Sequence, residues 1–110
     1  MCSSCRSTTT AALKNALDHL YAEWNRKPAG FVSYGGLGGG VRAVEQLRQV
    51  VIELDMVPIR RQIAIPRIWE AITETGGLRD PNDEEAELLL DDIARWATSL
   101  RGGRKRATAA

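Results

Sequence analysis

Histidine is nearly missing from this chain: His19 is the only one in 110 residues, and there are 2 cysteines, Cys2 and Cys5. That poverty excludes a structural zinc site of the ordinary kind, which needs four nitrogen or sulfur ligands. Cys2 and Cys5 form a C-x-x-C spacing, but a redox pair of this type opens a helix after a buried strand. Only Met1 precedes Cys2, so the pair reads as incidental. No charge of one sign prevails either. Fifteen basic and fourteen acidic residues give +1 with the histidine neutral, which argues against a nucleic-acid-binding surface. No apolar run approaches the ~20 residues of a membrane span, and MCSSCRSTTT lacks the apolar centre of a secretory signal. With 44% hydrophobic and 26% charged residues, the expectation is one core in a soluble, cytoplasmic domain.

Glycine, by contrast, is concentrated. SYGGLGGGVRAVEQL, residues 33–47, places five glycines in the six positions 35–40. Glycine inside a regular element is destabilising, so the cluster needs a reason. A ligand lying against bare backbone is one; a tight structural turn is the other.

The flanking pattern locates the loop. Leu13, Ala16, Leu17, Leu20, Tyr21 and Trp24 recur at helical spacing and predict a helix over 11–24 with one buried stripe, His19 lying on its polar side. Pro28 ends that run. AGFVSY reads as a strand buried on both faces, because it is mostly apolar. Val41, Val44, Leu47, Val51 and Leu54 predict a second helix, about 40–55, and VPIRRQIAIP a second strand that Arg60-Arg61 interrupts. Strand, glycine loop, helix, strand is a βαβ unit, and it calls for a parallel sheet covered by helices. A short helical turn is expected at 68–72, then a loop with Asp80 as cap and Pro81 at the first helical position. Ala86, Leu89, Leu90, Ile93, Ala97 and Leu100 give the core stripe of a last helix that Gly102-Gly103 should stop, leaving residues 102–110 as a disordered basic tail.

The loop's position is informative, because open α/β sheets bind ligands beyond the carboxyl ends of their strands. Its glycines allow close approach, and the following helix offers unpaired N–H donors. Two nucleotide motifs fail here. A G-x-G-x-x-G beginning at Gly36 meets Val41 where glycine or alanine is needed, and Val41-Arg42 stand where a P-loop has Lys-Ser/Thr. No Ser/His/Asp or Cys/His set has a readable context, and Asp91-Asp92 read as a solvated helix face. Any chemistry would be a cofactor's.

LKNALD, a Lys-Pro strand ending in SYGG, and then GG-x-RA-x-x-QLR occur in this order from Ala11 onward. In combination they resemble the second half of the NADPH-dependent FMN reductases, flavodoxin-like NAD(P)H:quinone and azo reductases. The resemblance runs to about Pro66, and more loosely through Trp69 to the final helix. It implies a doubly wound parallel sheet of which 28–34 and 57–65 would be the fourth and fifth strands. It also implies an oxidoreductase that passes a hydride from NADPH or NADH through bound FMN to a quinone-like small-molecule acceptor, as a homodimer or homotetramer. Family members hold FMN on three loops. The one after the fourth strand lies against the isoalloxazine ring, and here its residues are Tyr34, Gly35, Gly36, Gly38 and Gly39, with Ser33 a weaker match. Arg42, Arg60 and Arg61 read as surface arginines.

The phosphate loop and the Pro-Glu-Tyr-Asn segment of the family have no match. Where that segment is expected, Ser3-Ser4-Cys5-Arg6 stand, and Thr10 replaces a proline common before LKNALD. Suitable codons for residues 2–10, read one base earlier, encode Val-Leu-Val-Met-Pro-Glu-Tyr-Asn-His, an apolar strand followed by the missing segment. The expectation is therefore that residues 1–10 are an out-of-frame reading and that 11–101 are the C-terminal part of a reductase domain. The rival expectation is a non-catalytic remnant, or a small α/β interaction module, without flavin. Either way the fourth strand would carry a bare apolar edge prone to association.

Overall fold

The computed structural model describes residues 10–80 and 82–109; side chains are described as far as residue 103. The elements run α1 (Ala11–Asp18), β1 (Pro28–Tyr34), α2 (Val41–Glu53), β2 (Val57–Ile65), α3 (Ile68–Ala71) and α4 (Asp83–Ala109). β1 and β2 pair in parallel as a two-stranded sheet. The predicted βαβ unit is therefore present, with both strands at the expected positions.

Two apolar clusters hold a helix on each face of this sheet. On one face Phe31 meets Val44 and Val51 of α2, with Ala29, Leu47 and Met56 packed around them. On the other Ile59 and Ile63 meet Leu89 of α4, flanked by Ile65, Ala86 and Ile93. Burying such side chains contributes about 1.5–3 kcal/mol each, and these two clusters contain most of the fully buried apolar residues. Gly30 marks the tightest approach of α4 to β1. A Cβ there would lie 2.7 Å from Ile93 Cδ1.

The register is not regular. Ala29 stands opposite Pro58, but Phe31 stands opposite Gln62. One residue of β1, Gly30, thus faces Ile59, Arg60 and Arg61, and β2 carries two extra residues. The interruption that Arg60-Arg61 signals in the sequence is this bulge.

Elsewhere the structure departs from expectation. α1 ends at Asp18 rather than near Trp24, and none of its residues is buried. Thr10 caps it, its hydroxyl accepting from the Leu13 N–H at 3.4 Å. The chain then turns back, with Trp24 Nε1 donating to the Leu17 carbonyl at 3.0 Å. Leu13, Leu20 and Tyr21 of the anticipated stripe are exposed, because no element among the described residues packs over them. β1 is not buried on both faces: Phe31 is, but Val32 and Tyr34 are 63% and 69% exposed.

α4 starts at Asp83, so Asp80 is not its cap, and Pro81 lies outside the described residues. Leu90 is 63% exposed, since a two-stranded sheet is wide enough to cover only the Ala86–Leu89–Ile93 stripe. The helix continues through Gly102 and Gly103 to Ala109. Two glycines disfavour a helix by only ~1 kcal/mol each. Among the described residues no helix is long and apolar enough to cross a membrane.

Candidate functional site

β1 ends at Tyr34, and the parallel ladder is carried one residue further: Gly35 N–H donates to the Ile65 carbonyl at 3.2 Å. The segment after β2 then returns the contact. Arg67 N–H donates to the Gly36 carbonyl at 2.8 Å, and Ile68 N–H to the Gly35 carbonyl at 3.1 Å. Arg67 holds φ +46°, a conformation unusual for a residue with a side chain. The start of the glycine loop is thus pinned to the turn between β2 and α3 by three backbone hydrogen bonds.

The end of the loop is fixed by its own backbone. Gly39 and Gly40 have φ of +60° and +79°, the left-handed region where other residues are strained. A Cβ on Gly40 would stand 2.9 Å from the Tyr34 carbonyl oxygen, and one on Gly39 3.1 Å from Pro66 N. Ser33 Oγ donates to the Gly39 carbonyl at 2.7 Å, and Val44 N–H to the Gly40 carbonyl at 3.3 Å as α2 begins. Gly40 serves as N-cap without a side-chain hydrogen bond.

Between these fixed ends the loop projects. Leu37 is 83% exposed, and a Cβ on Gly38 would meet nothing within 4 Å. Gly38 therefore answers to no packing requirement among the described residues. Its carbonyl accepts from Val41 N–H at 3.2 Å, while the N–H groups of Gly36, Leu37 and Gly38 donate to no backbone acceptor among the described residues. Tyr34, the last residue of β1, stands exposed at the same end of the sheet.

The five residues expected from the sequence are accordingly gathered in one loop at the carboxyl end of β1, but in two roles. Gly35, Gly36 and Gly39 are engaged in the loop's own bonding or packing; Tyr34 and Gly38 face outward. Two contributors were missed. Gly40 was visible only as one more glycine. Arg48 lay in QLR, and its reach to β2 has no local signal.

The arginines considered earlier sit apart from the loop tip or on the surface. Arg42 and Arg60 are exposed. Arg61 pairs with Asp92 of α4 at 3.3 Å, and Arg95 reaches the same carboxylate at 2.7 Å, so Asp92 is a paired surface acid. His19 closes α1, its ring Nδ1 lying 2.7 Å from the Asn15 carbonyl. No group of metal-ligating side chains occurs among the described residues. Cys2 and Cys5 lie outside them.

The loop lies at the carboxyl end of a parallel strand, where open α/β sheets bind ligands, and its bare Cα leaves room for a flat or anionic group to approach the backbone. The family model for NADPH-dependent FMN reductase matches residues 6–70, which include the whole loop. The chain belongs to this family. Two curated members of similar sequence are NAD(P)H-dependent FMN reductases of yeasts. That of Schizosaccharomyces pombe is 51% identical over 59 residues, which is 52% of this chain and 29% of that protein. That of Saccharomyces cerevisiae is 56% identical over 46 residues, 42% of this chain and 24% of that protein. The aligned stretches therefore span less than a third of either relative, and the FMN reductase fold is represented here by a parallel strand pair with its flanking helices.

Proposed function

We propose that this chain is the C-terminal part of an NAD(P)H-dependent FMN reductase, and that its glycine loop forms the wall against which the flavin ring rests. The reading is carried by the tip at Leu37–Gly38, which is exposed, has open space where a Gly38 side chain would stand, and has N–H groups with no backbone acceptor among the described residues. When bound, FMN supplies the hydride chemistry between NADPH or NADH and a quinone-like acceptor. The chain's own contribution is to bind and orient. Leu37 and Gly38 would present N–H groups to the acceptor edge of the ring, Gly38 would let the ring approach, and Tyr34 would border it. No side chain of the loop is needed as an acid or base.

In this reading residues 11–101 act as one unit, the phosphate of FMN is held by elements other than the glycine loop, and a homodimer or homotetramer forms around the site. The match to two yeast reductases supports the cofactor; the acceptor rests on the resemblance alone.

Titrating the chain with FMN and following flavin fluorescence tests this reading. Saturable quenching that Gly38→Leu abolishes is the expected result. A wild-type chain that leaves flavin fluorescence untouched would contradict the flavin reading for this chain and favour the flavin-free alternative.

A further inference from the structure

Arg48 of α2 reaches across to β2 with three hydrogen bonds, and all of them converge on the bulge. Its Nη1 donates to the Ile59 carbonyl at 2.7 Å and its Nη2 to the Arg60 carbonyl at 3.1 Å. The same Nη2 donates to Gln62 Oε1 at 2.9 Å, and the guanidinium carbon lies 4.7 Å from the centre of the Phe31 ring. Ile59 and Arg60 fall within the stretch where β2 carries two extra residues against β1. A bulge takes residues out of the ladder and leaves their polar groups to be satisfied otherwise. Here one planar, multi-donor cation satisfies two carbonyls at once, which a lysine cannot reproduce.

We propose that Arg48 is a positioning residue for the glycine loop: by clamping the bulge it sets which end of β2 meets Gly35 and Gly36. The register makes the connection. With the bulge, Tyr34 stands opposite Ile65, and this places the Ile65 carbonyl and the Arg67 and Ile68 N–H groups on Gly35 and Gly36. Continuing the Ala29–Pro58 register without the bulge would bring Tyr34 opposite Ile63, two residues earlier. The turn that now pins the loop would then lie beyond its reach. The consequence for flavin rests on the function proposed above, while the consequence for the loop does not.

A three-variant comparison on the full 110-residue chain tests this. Arg48→Met removes the clamp and keeps the aliphatic length. Deleting Arg60 and Arg61 removes the need for it, because a two-residue deletion leaves Ile59 and Ile63 on one face of the strand. The third variant combines both changes. Amide hydrogen exchange at Gly35, Arg67 and Ile68 reports the pinning directly, whether or not flavin binds.

Arg48→Met is expected to lower protection at these amides by roughly tenfold or more, the scale of one lost charged hydrogen bond. The combined variant is expected to restore it, and FMN affinity should follow the same order. Unchanged protection in Arg48→Met would overturn the proposal, as would a loss that the deletion does not recover. Should Arg48→Met not fold, the combined variant decides: a folded chain with protected amides supports the clamp, and an unfolded one refutes it. A wild-type chain that shows protected amides yet binds no FMN would overturn the flavin reading alone.

Discussion

The two parts of the glycine loop obey different constraints. At Gly39–Gly40 the backbone itself requires glycine: both φ values are positive, and a Cβ would meet Pro66 N or the Tyr34 oxygen at about van der Waals contact or closer. At Leu37–Gly38 nothing in the chain asks for a missing side chain. The five glycines at 35–40 thus divide into positions that the backbone requires and a tip that it does not, and composition alone cannot tell one from the other. Of the opening alternatives, the structural turn describes Gly39–Gly40, and a ligand is what we propose for Leu37–Gly38.

Substitutions can break this contrast. Gly40→Ala should have the largest effect, because it adds left-handed strain to a contact at 2.9 Å; a loss of about 2–4 kcal/mol in urea unfolding is expected. Gly39→Ala should lose about 1–3 kcal/mol for the same reason with looser contacts. Ser33→Ala removes the hydroxyl that holds the Gly39 carbonyl at 2.7 Å, and about 1 kcal/mol should be lost in the same assay. Gly38→Leu should change stability by less than about 0.5 kcal/mol, as exposed substitutions usually do, while removing flavin binding. Equal destabilisation by Gly38→Leu and Gly40→Ala would erase the distinction between tip and turn.

A second contrast separates the covered from the uncovered faces of β1. Phe31 is sealed under α2, whereas Val32 and Tyr34 are open, next to a strand edge that pairs with nothing among the described residues. Exposed apolar edge strands promote association. Val32→Lys should therefore shift the chain toward monomer in analytical ultracentrifugation with little change in unfolding midpoint. Association of equal strength in the variant would place the contact elsewhere, for instance on the exposed Leu13, Leu20 and Tyr21 of the α1 region.

Periodicity located the elements well and their environments less well. Pro28, the glycine cluster and Pro66 punctuate the chain, so both strands and α2 stand where the pattern placed them. The spacing of Leu13, Leu17 and Leu20 identifies a shared face but carries no information about what covers it. Leu90 shows the same limit. It follows the apolar rule of α4, yet the strip of sheet beneath that helix is too narrow to reach it. Arg60-Arg61 announced a break in β2, while the residue that makes the break tolerable, Arg48, is twelve positions before Arg60. Hydrogen bonds across such separations leave no local trace. The resemblance named five residues of the loop, but which of them the fold itself requires and which project from it emerged only from φ values and distances.

We propose that the tip of the glycine loop receives a flavin ring while its base serves the fold. Following backbone amide resonances of the full chain during titration with FMN tests it most directly. The expected result is that the N–H signals of Leu37 and Gly38 shift saturably, while those of Gly36, Gly39 and Gly40 move far less. Flavin that binds and leaves the Leu37 and Gly38 signals unmoved would contradict it.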